Sequence, residues 1–174
     1  MSEFYFFWKH RFGQWTMRDM VIDGVTYCCA EQYMMAEKAR LFNDDVVLAR
    51  ILASRNPQEI KNLGREVANF DKAHWDDIAR NVVFVGNMAK FTQHSDLKEL
   101  LLSTGDAILA EASPYDIVWG IGLSATDPRA EDVSKWRGKN WLGETLMRVR
   151  ATICSEHGED GEIVKRSKAS RASK

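Results

Sequence analysis

The sequence predicts an α+β fold, mostly helical with a small strand component, and three observations carry that reading. Segments with apolar residues recurring every three to four positions take up much of the chain. The strand-like stretches are few and short. Asn, Asp, Pro and Gly stand where the helical segments would begin and end. At 174 residues and 19.9 kDa, with 45% hydrophobic residues, the chain is the size of one domain with one good core.

From the N-terminus, "FYFFWKHRFGQW" (Phe4 to Trp15) is dense in aromatics and suits a buried strand followed by a turn at Gly13. "MVIDGVTY" (Met20 to Tyr27) reads as two short strands around an Asp23-Gly24 turn, which needs the positive φ that glycine tolerates. A helix is expected from Cys28 or Cys29 to about Phe42. A second runs through Asn43 to Ser54, with capping residues at its start, and a third through Asn56 to Val67, with Pro57 in its first turn. Asp71 to about Gln93 gives a long helix with Trp75, Ile78, Val82, Val85, Met88 and Ala89 on its apolar stripe. "SDLKELLLSTG" is a further helix, capped by Ser95 and stopped by Gly105. Asp106 to Ser113 and Asp116 to Leu123 read as strands. A polar loop, Ser124 to Lys139, leads to a last amphipathic helix capped by Asn140, with Leu142, Leu146, Val149 and Ile153 on one face. From Ser155 onward almost nothing is apolar, and composition predicts a disordered basic tail over 155–174 behind a domain of 1–154.

Charge and cysteine content exclude several classes. Twenty-four Lys+Arg against 25 Asp+Glu leave a net charge of -1, so any polyanion site must be local. Cys28, Cys29 and Cys154 are odd in number and include an adjacent pair. That pattern argues against a disulfide framework and a zinc site, and points to a reducing cytoplasm. His10, His74, His94 and His157 lack ligand-like spacing, so neither a metal nor another cofactor is expected. "MSEFYFFWKH" has no basic region before its apolar cluster, and no run approaches the roughly 18 apolar residues of a membrane span.

"EQYMMAEKA" holds the first functional candidates. On a helix Glu31, Met34, Met35 and Lys38 fall on one stripe that continues to Phe42. Either the two charged ends reach water past the methionines, or the stripe lines a pocket, where burial raises a carboxyl's pKa and lowers a lysine's. Spacing alone leaves both open. Asp116 reads equally as a turn carboxylate after Pro114, Trp119 as core, Asn140 as a helix cap and Gly143 as a close-packing residue.

Taken in order, "AEQYMMAEKA", "HWDDIARNVVFVGNMAKF", "LLLSTGDAILAEASPYDIVWGIGL" and "GKNWLGETLMRVR" resemble the NADAR/YbiA-like family, over about Phe4 to Ile153. The resemblance implies a single compact, mostly helical α+β domain with a small β component around one cleft. It also implies an N-glycosidase that cuts a ribose C1–N bond. Known members either remove ADP-ribose from guanine bases of nucleic acid or hydrolyse phosphoribosylamino-pyrimidine intermediates of riboflavin synthesis. Ile121 stands where the riboflavin type commonly carries an acid, which points towards the first.

Carried over residue by residue, Lys38 is the expected nucleophile, through a Schiff base with C1; the alternatives are an oxocarbenium mechanism in which Glu31 or Asp116 activates water and Lys38 holds a phosphate, and a non-catalytic module that binds ADP-ribose or a nucleotide in the same cleft. Glu31 is the expected proton shuttle, and Asp116 the group for ribose hydroxyls or water. Trp75, Trp119, Gly120, Asn140 and Gly143 fall in the matched blocks as substrate-binding residues, with Tyr33 from the "EQY" block and Arg11 near the start of the match. Phosphate would need cations, for which Lys9, Arg11, Arg18, Lys135, Arg137 and Lys139 are the candidates. The expected partner is a nucleotide-type substrate, ADP-ribosylated nucleic acid included, and the expected state a monomer.

Overall fold

The computed structural model describes residues 3–171, and side chains through Glu156. Its elements run β1 (Phe4–Phe7), β2 (Met20–Ile22), β3 (Val25–Tyr27), α1 (Ala30–Leu41), α2 (Asp45–Ala53), α3 (Pro57–Glu66), α4 (Lys72–Gln93), α5 (Ser95–Ser103), β4 (Ile108–Glu111) and α6 (Trp141–Arg171). A 3₁₀ turn, Val133–Lys135, sits in the long loop before α6. β1 and β4 form a parallel pair that sets Phe4 opposite Ile108 and Phe7 opposite Glu111. β2 and β3 make a separate hairpin, turned by Asp23 at φ 50 and Gly24 at φ 78.

α1 lies at the centre. It packs against α2, α3 and α4, and eight of its residues are buried, Glu31 and Gln32 among them. Gln32 satisfies its buried amide by donating to the carbonyls of Ile51 (2.9 Å) and Ser54 (2.8 Å) and accepting from the Cys28 N–H at 2.7 Å. Asp44, Asn56 and Asp71 cap the starts of α2, α3 and α4 with their side chains, each worth roughly 1 kcal/mol. α6 seats Leu142, Leu146, Val149 and Ile153 against α4 and β4. All four are buried, at roughly 1.5–3 kcal/mol apiece.

Four expectations are corrected here. Asp116 to Leu123 is not a strand. Asp116 folds back on the amides of Val118 and Trp119, and the segment's carbonyls are taken by the amides of residues 137–142. Ser95 is the first helical residue of α5; His94 precedes it without a side-chain cap. Asn140 does not cap α6, because its side chain bonds across to β4. On α4 the buried face is Trp75, Ala79, Val82, Val83, Gly86, Asn87, Lys90 and Phe91, so Ile78, Val85, Met88 and Ala89 lie at its margin.

The helix of α6 is continuous through Arg171, across the stretch from 155 that composition assigns to a tail. Residues 172–174 lie outside the described residues.

Candidate active site

A cleft of about 460 Å³ opens between α1, α3, the N-terminal end of α4, the end of β4 and the loops after β1 and β4. From α1 come Glu31, Met34, Met35 and Lys38, so one helical stripe forms a wall. Trp75 enters from α4, Lys61, Gly64 and Arg65 from α3, and Glu111, Asp116 and Trp119 from β4 and the loop after it.

Glu31 is 7% exposed, and no side-chain hydrogen bond holds it. Burial, reinforced by the nearby Asp116 charge and opposed by Lys61, Arg65 and Lys38, pushes its carboxyl up to about 7. Lys38 donates from Nζ to the Gly64 carbonyl at 2.6 Å and lies 4.0 Å over the Phe70 ring. Gly64 permits that approach: a Cβ there would meet Met35 Sδ at 2.0 Å, so any side chain at 64 would have to displace the methionine. Desolvation lowers the Lys38 pKa, Arg65 lowers it further, and Glu31 acts the other way. Of the two readings of the stripe the second therefore holds: Glu31 and Lys38 line a cleft with the methionines between them.

The loop under the cleft is tied to α4 by two buried polar side chains. Lys90, 1% exposed, donates to the Gly13 carbonyl at 2.9 Å, and Asn87 donates to Gln14 Oε1 at 2.8 Å. The Gln14 carbonyl accepts the Glu31 N–H at 3.0 Å, so this loop also fixes the start of α1. On the opposite side the Asp116 Oδ1 accepts the amides of Val118 (2.9 Å) and Trp119 (2.7 Å), which sets Trp119 at the cleft.

Of the residues expected from sequence, Lys38, Glu31, Asp116, Trp75 and Trp119 line this cleft, and five do not. Tyr33 points the other way around α1, packed edge-on against Tyr27 at 5.2 Å and beside Gly86. Arg11 is on a separate hollow with Tyr5, His10 and Leu100. Gly120 is a glycine because a Cβ would meet the carbonyls of Asp116 and Glu111 at 2.9 Å, so what approaches it is the chain itself. Asn140, 2% exposed, accepts the Glu111 N–H at 3.0 Å and donates to the Leu109 carbonyl at 2.9 Å. Gly143 leaves room for the Leu109 carbonyl, 2.1 Å from where its Cβ would stand. These last three hold the cleft's β4 wall from behind.

Of the six candidate cations, Lys9 lines the cleft. Arg18 pairs with Asp96 at 2.7 Å and Lys135 with Asp132 at 2.8 Å, while Lys139 lies over the Trp141 ring. The cations that the sequence reading passed over are Lys61 and Arg65, four apart on α3 and astride the glycine that admits Lys38. It also passed over Glu111, whose signal was an acid closing a strand just before Ser-Pro, and the rim aromatics Trp8, Trp15 and Tyr115. Among the described residues no cluster of His, Cys, Asp and Glu could hold a metal ion, and no helix is long and apolar enough to cross a membrane.

Comparison with known proteins agrees with this architecture. The model of the NADAR domain matches residues 2–154. An N-glycosidase of Acanthamoeba polyphaga mimivirus is 46% identical over 124 residues, 71% of this chain and 73% of that protein. An N-glycosidase of Nostoc punctiforme is 31% identical over 142 residues, 82% of this chain and 84% of its own. The NMR structure of the Escherichia coli protein YbiA superposes with a TM-score of 0.75 at 27% identity, covering 91% of this chain and 90% of that one. With the family's domain matched along nearly its whole length and the same fold around the cleft, this chain belongs to the NADAR domain family.

Proposed function

We propose that the cleft removes ADP-ribose from a guanine base of nucleic acid, with Lys38 as the nucleophile at ribose C1. The chain is a glycosidase acting on N-glycosyl compounds, as its family and its relatives named N-glycosidases indicate. What supports the finer reading is one observation. Glu31 and Lys38, seven apart on one helix, share a partly dry cleft with four tryptophans and three further cations.

Cutting a ribose C1–N bond requires a group to take up C1 and a proton for the departing nitrogen. Desolvation favours the neutral amine of Lys38, the form that attacks. As the amine bonds to C1, the C1–N bond to the base breaks and its electron pair leaves with the base nitrogen, which is protonated. Loss of an amine proton to Glu31 and opening of the C1–O bond, with a proton to the ring oxygen, give a C1=N Schiff base. Water then adds to C1 and frees the lysine. Asp116 holds ribose hydroxyls or the water through the oxygen its turn leaves open. Trp75 and Trp119 offer faces for base or sugar, and Lys61, Arg65 and Lys9 supply charge for a diphosphate.

ADP-ribose is favoured over a riboflavin intermediate because Ile121, where the riboflavin type carries an acid, is fully buried in a small core with Ala110 and Leu123. The test is incubation with an oligonucleotide ADP-ribosylated on guanine, and with the phosphoribosylamino-pyrimidine, under borohydride. Free ADP-ribose from the first, and a covalent adduct in wild type that Lys38→Ala lacks, are the expected results. Turnover without an adduct removes the Schiff base and leaves Lys38 as a phosphate ligand. Binding without turnover makes the cleft a recognition module.

A further inference from the structure

Glu111 has no part in the scheme above, yet its backbone is firmly held at the wall of the cleft. Its N–H donates to Asn140 Oδ1 at 3.0 Å, and its carbonyl accepts from Ser113 and Ile121, each at 2.9 Å. It is the last residue of β4, in register with Phe7. The backbone is thus clamped from the side of α6 and from the loop that follows. The side chain lines the cleft, and its Oε2 is buried with no hydrogen-bond partner. A buried carboxyl oxygen left without a partner costs about 1–3 kcal/mol, a loss that a hydrogen-bonding group of an occupant would relieve.

We propose that Glu111 is a catalytic acid, whose neutral carboxyl gives its proton to the base nitrogen as the C1–N bond breaks. The proposal rests on reading the cleft as an N-glycosidase site, and not on which base departs. The surrounding charge suits a carboxyl that keeps its proton. Asp116 faces it from the following loop and Glu31 from α1; Lys61 on α3 opposes them, and Lys9 lies beyond β1. The turn before α6 presents the uncharged Asn140, and α6 presents Gly143. Burial first, then the charges of Asp116 and Glu31, push Glu111 up to about 7.

The division of labour follows from position. Glu31 shares the helix face of Lys38 and takes the proton that the attacking amine gives up. Asp116 accepts two amides through Oδ1 and serves as an acceptor. Glu111 comes from a different element, and its Oε2 has no hydrogen-bond partner among the described residues. In the step, the O–H bond of Glu111 and the C1–N bond break while N–H forms. Glu111 is left as a carboxylate that the resolving water reprotonates.

The test uses the full chain with the ADP-ribosylated guanine oligonucleotide, or with the phosphoribosylamino-pyrimidine if only that is turned over; in the latter case the substrate reading has failed and this one is still tested. Wild-type kcat is expected to fall as pH rises above about 7. Glu111→Gln, close in shape but with no proton to give, should lose about 10²–10⁴-fold in kcat with little change in KM, and its remaining rate should no longer fall with pH. Glu111→Asp should recover part of the rate and the pH dependence. A Glu111→Gln chain that keeps the alkaline decline, or keeps kcat within a few-fold of wild type, overturns the assignment. Should that variant fail to fold, a wild-type kcat that is level or rising above about pH 7 overturns it equally.

Discussion

At the scale of single residues, burial of charge governs this protein, and its consequences can be read as stability against pH. Glu31 ordinarily titrates at 4.5 and is held at about 7 in the fold. Between those values the folded chain keeps a proton that the unfolded chain has lost, so stability falls as pH rises through that window. The 2.5 pH units between the two values set an upper bound of about 3 kcal/mol at 1.36 kcal/mol per unit. Glu31→Gln should remove that dependence, and urea titrations at pH about 5 and about 7.5 would show wild type losing more stability than the variant. An equal loss in both would mean that Glu31 is not desolvated. Lys90 shows the opposite sign. Its pKa is depressed from 10.5 to about 7, chiefly by burial, so wild type gains stability from about pH 7 upward. Lys90→Met should lack that gain and, by freeing the Gly13 carbonyl, loosen the loop under the cleft.

At the scale of elements, the cleft exists because backbones come unusually close. α3 meets α1 through Gly64, and α6 meets β4 through Gly143. The two glycines respond differently to a methyl group. At Gly64 the obstacle is the end of Met35, which can swing, so Gly64→Ala should cost about 1–3 kcal/mol and push the methionine into the cleft, raising KM. At Gly143 the obstacle is the Leu109 carbonyl, and backbone cannot swing. Gly143→Ala should therefore lower Tm more than Gly64→Ala and move β4 with Glu111 upon it; thermal melts of the two variants side by side check the order. Asn140→Ala should fall between them. It leaves the Leu109 carbonyl and the Glu111 amide unpaired, at about 1–3 kcal/mol each, and should lower kcat by freeing the wall that it pins.

At the scale of the whole molecule, Ile153 is the last buried residue of α6 among those whose side chains the structure describes. A chain shortened to residues 1–156 should keep the Tm and the kcat of the full one. If the removed segment, with its "KRSKASRASK", attracts phosphates, the short chain will also show a shallower dependence of oligonucleotide KM on salt. A lower Tm or kcat would mean that the segment belongs to the fold.

The helices, the Asp23-Gly24 turn and the first half of the cleft were legible in the sequence, because each depends on neighbours three, four or seven positions away. Periodicity put Glu31, Met34, Met35 and Lys38 on one face, and "NDD", "NPQ" and "FDK" marked helix starts by side chains that bond their own backbone. Other features depend on partners distant along the chain. Asn140 looked like a cap but bonds a strand some thirty positions earlier, and Gly120 looked open to a ligand but is closed by the chain's own carbonyls. Nothing next to Lys90 in the sequence marks it as buried, and it is 1% exposed. Glu111 carried one local sign, an acid closing a strand, and none of the charges that surround it. A residue's helix face and its cap are fixed by short-range geometry, which a linear pattern records. Whether a charged group is dry, and which charges face it, is fixed by elements that meet only when the chain folds, and in this protein that meeting decides which carboxyls keep a proton.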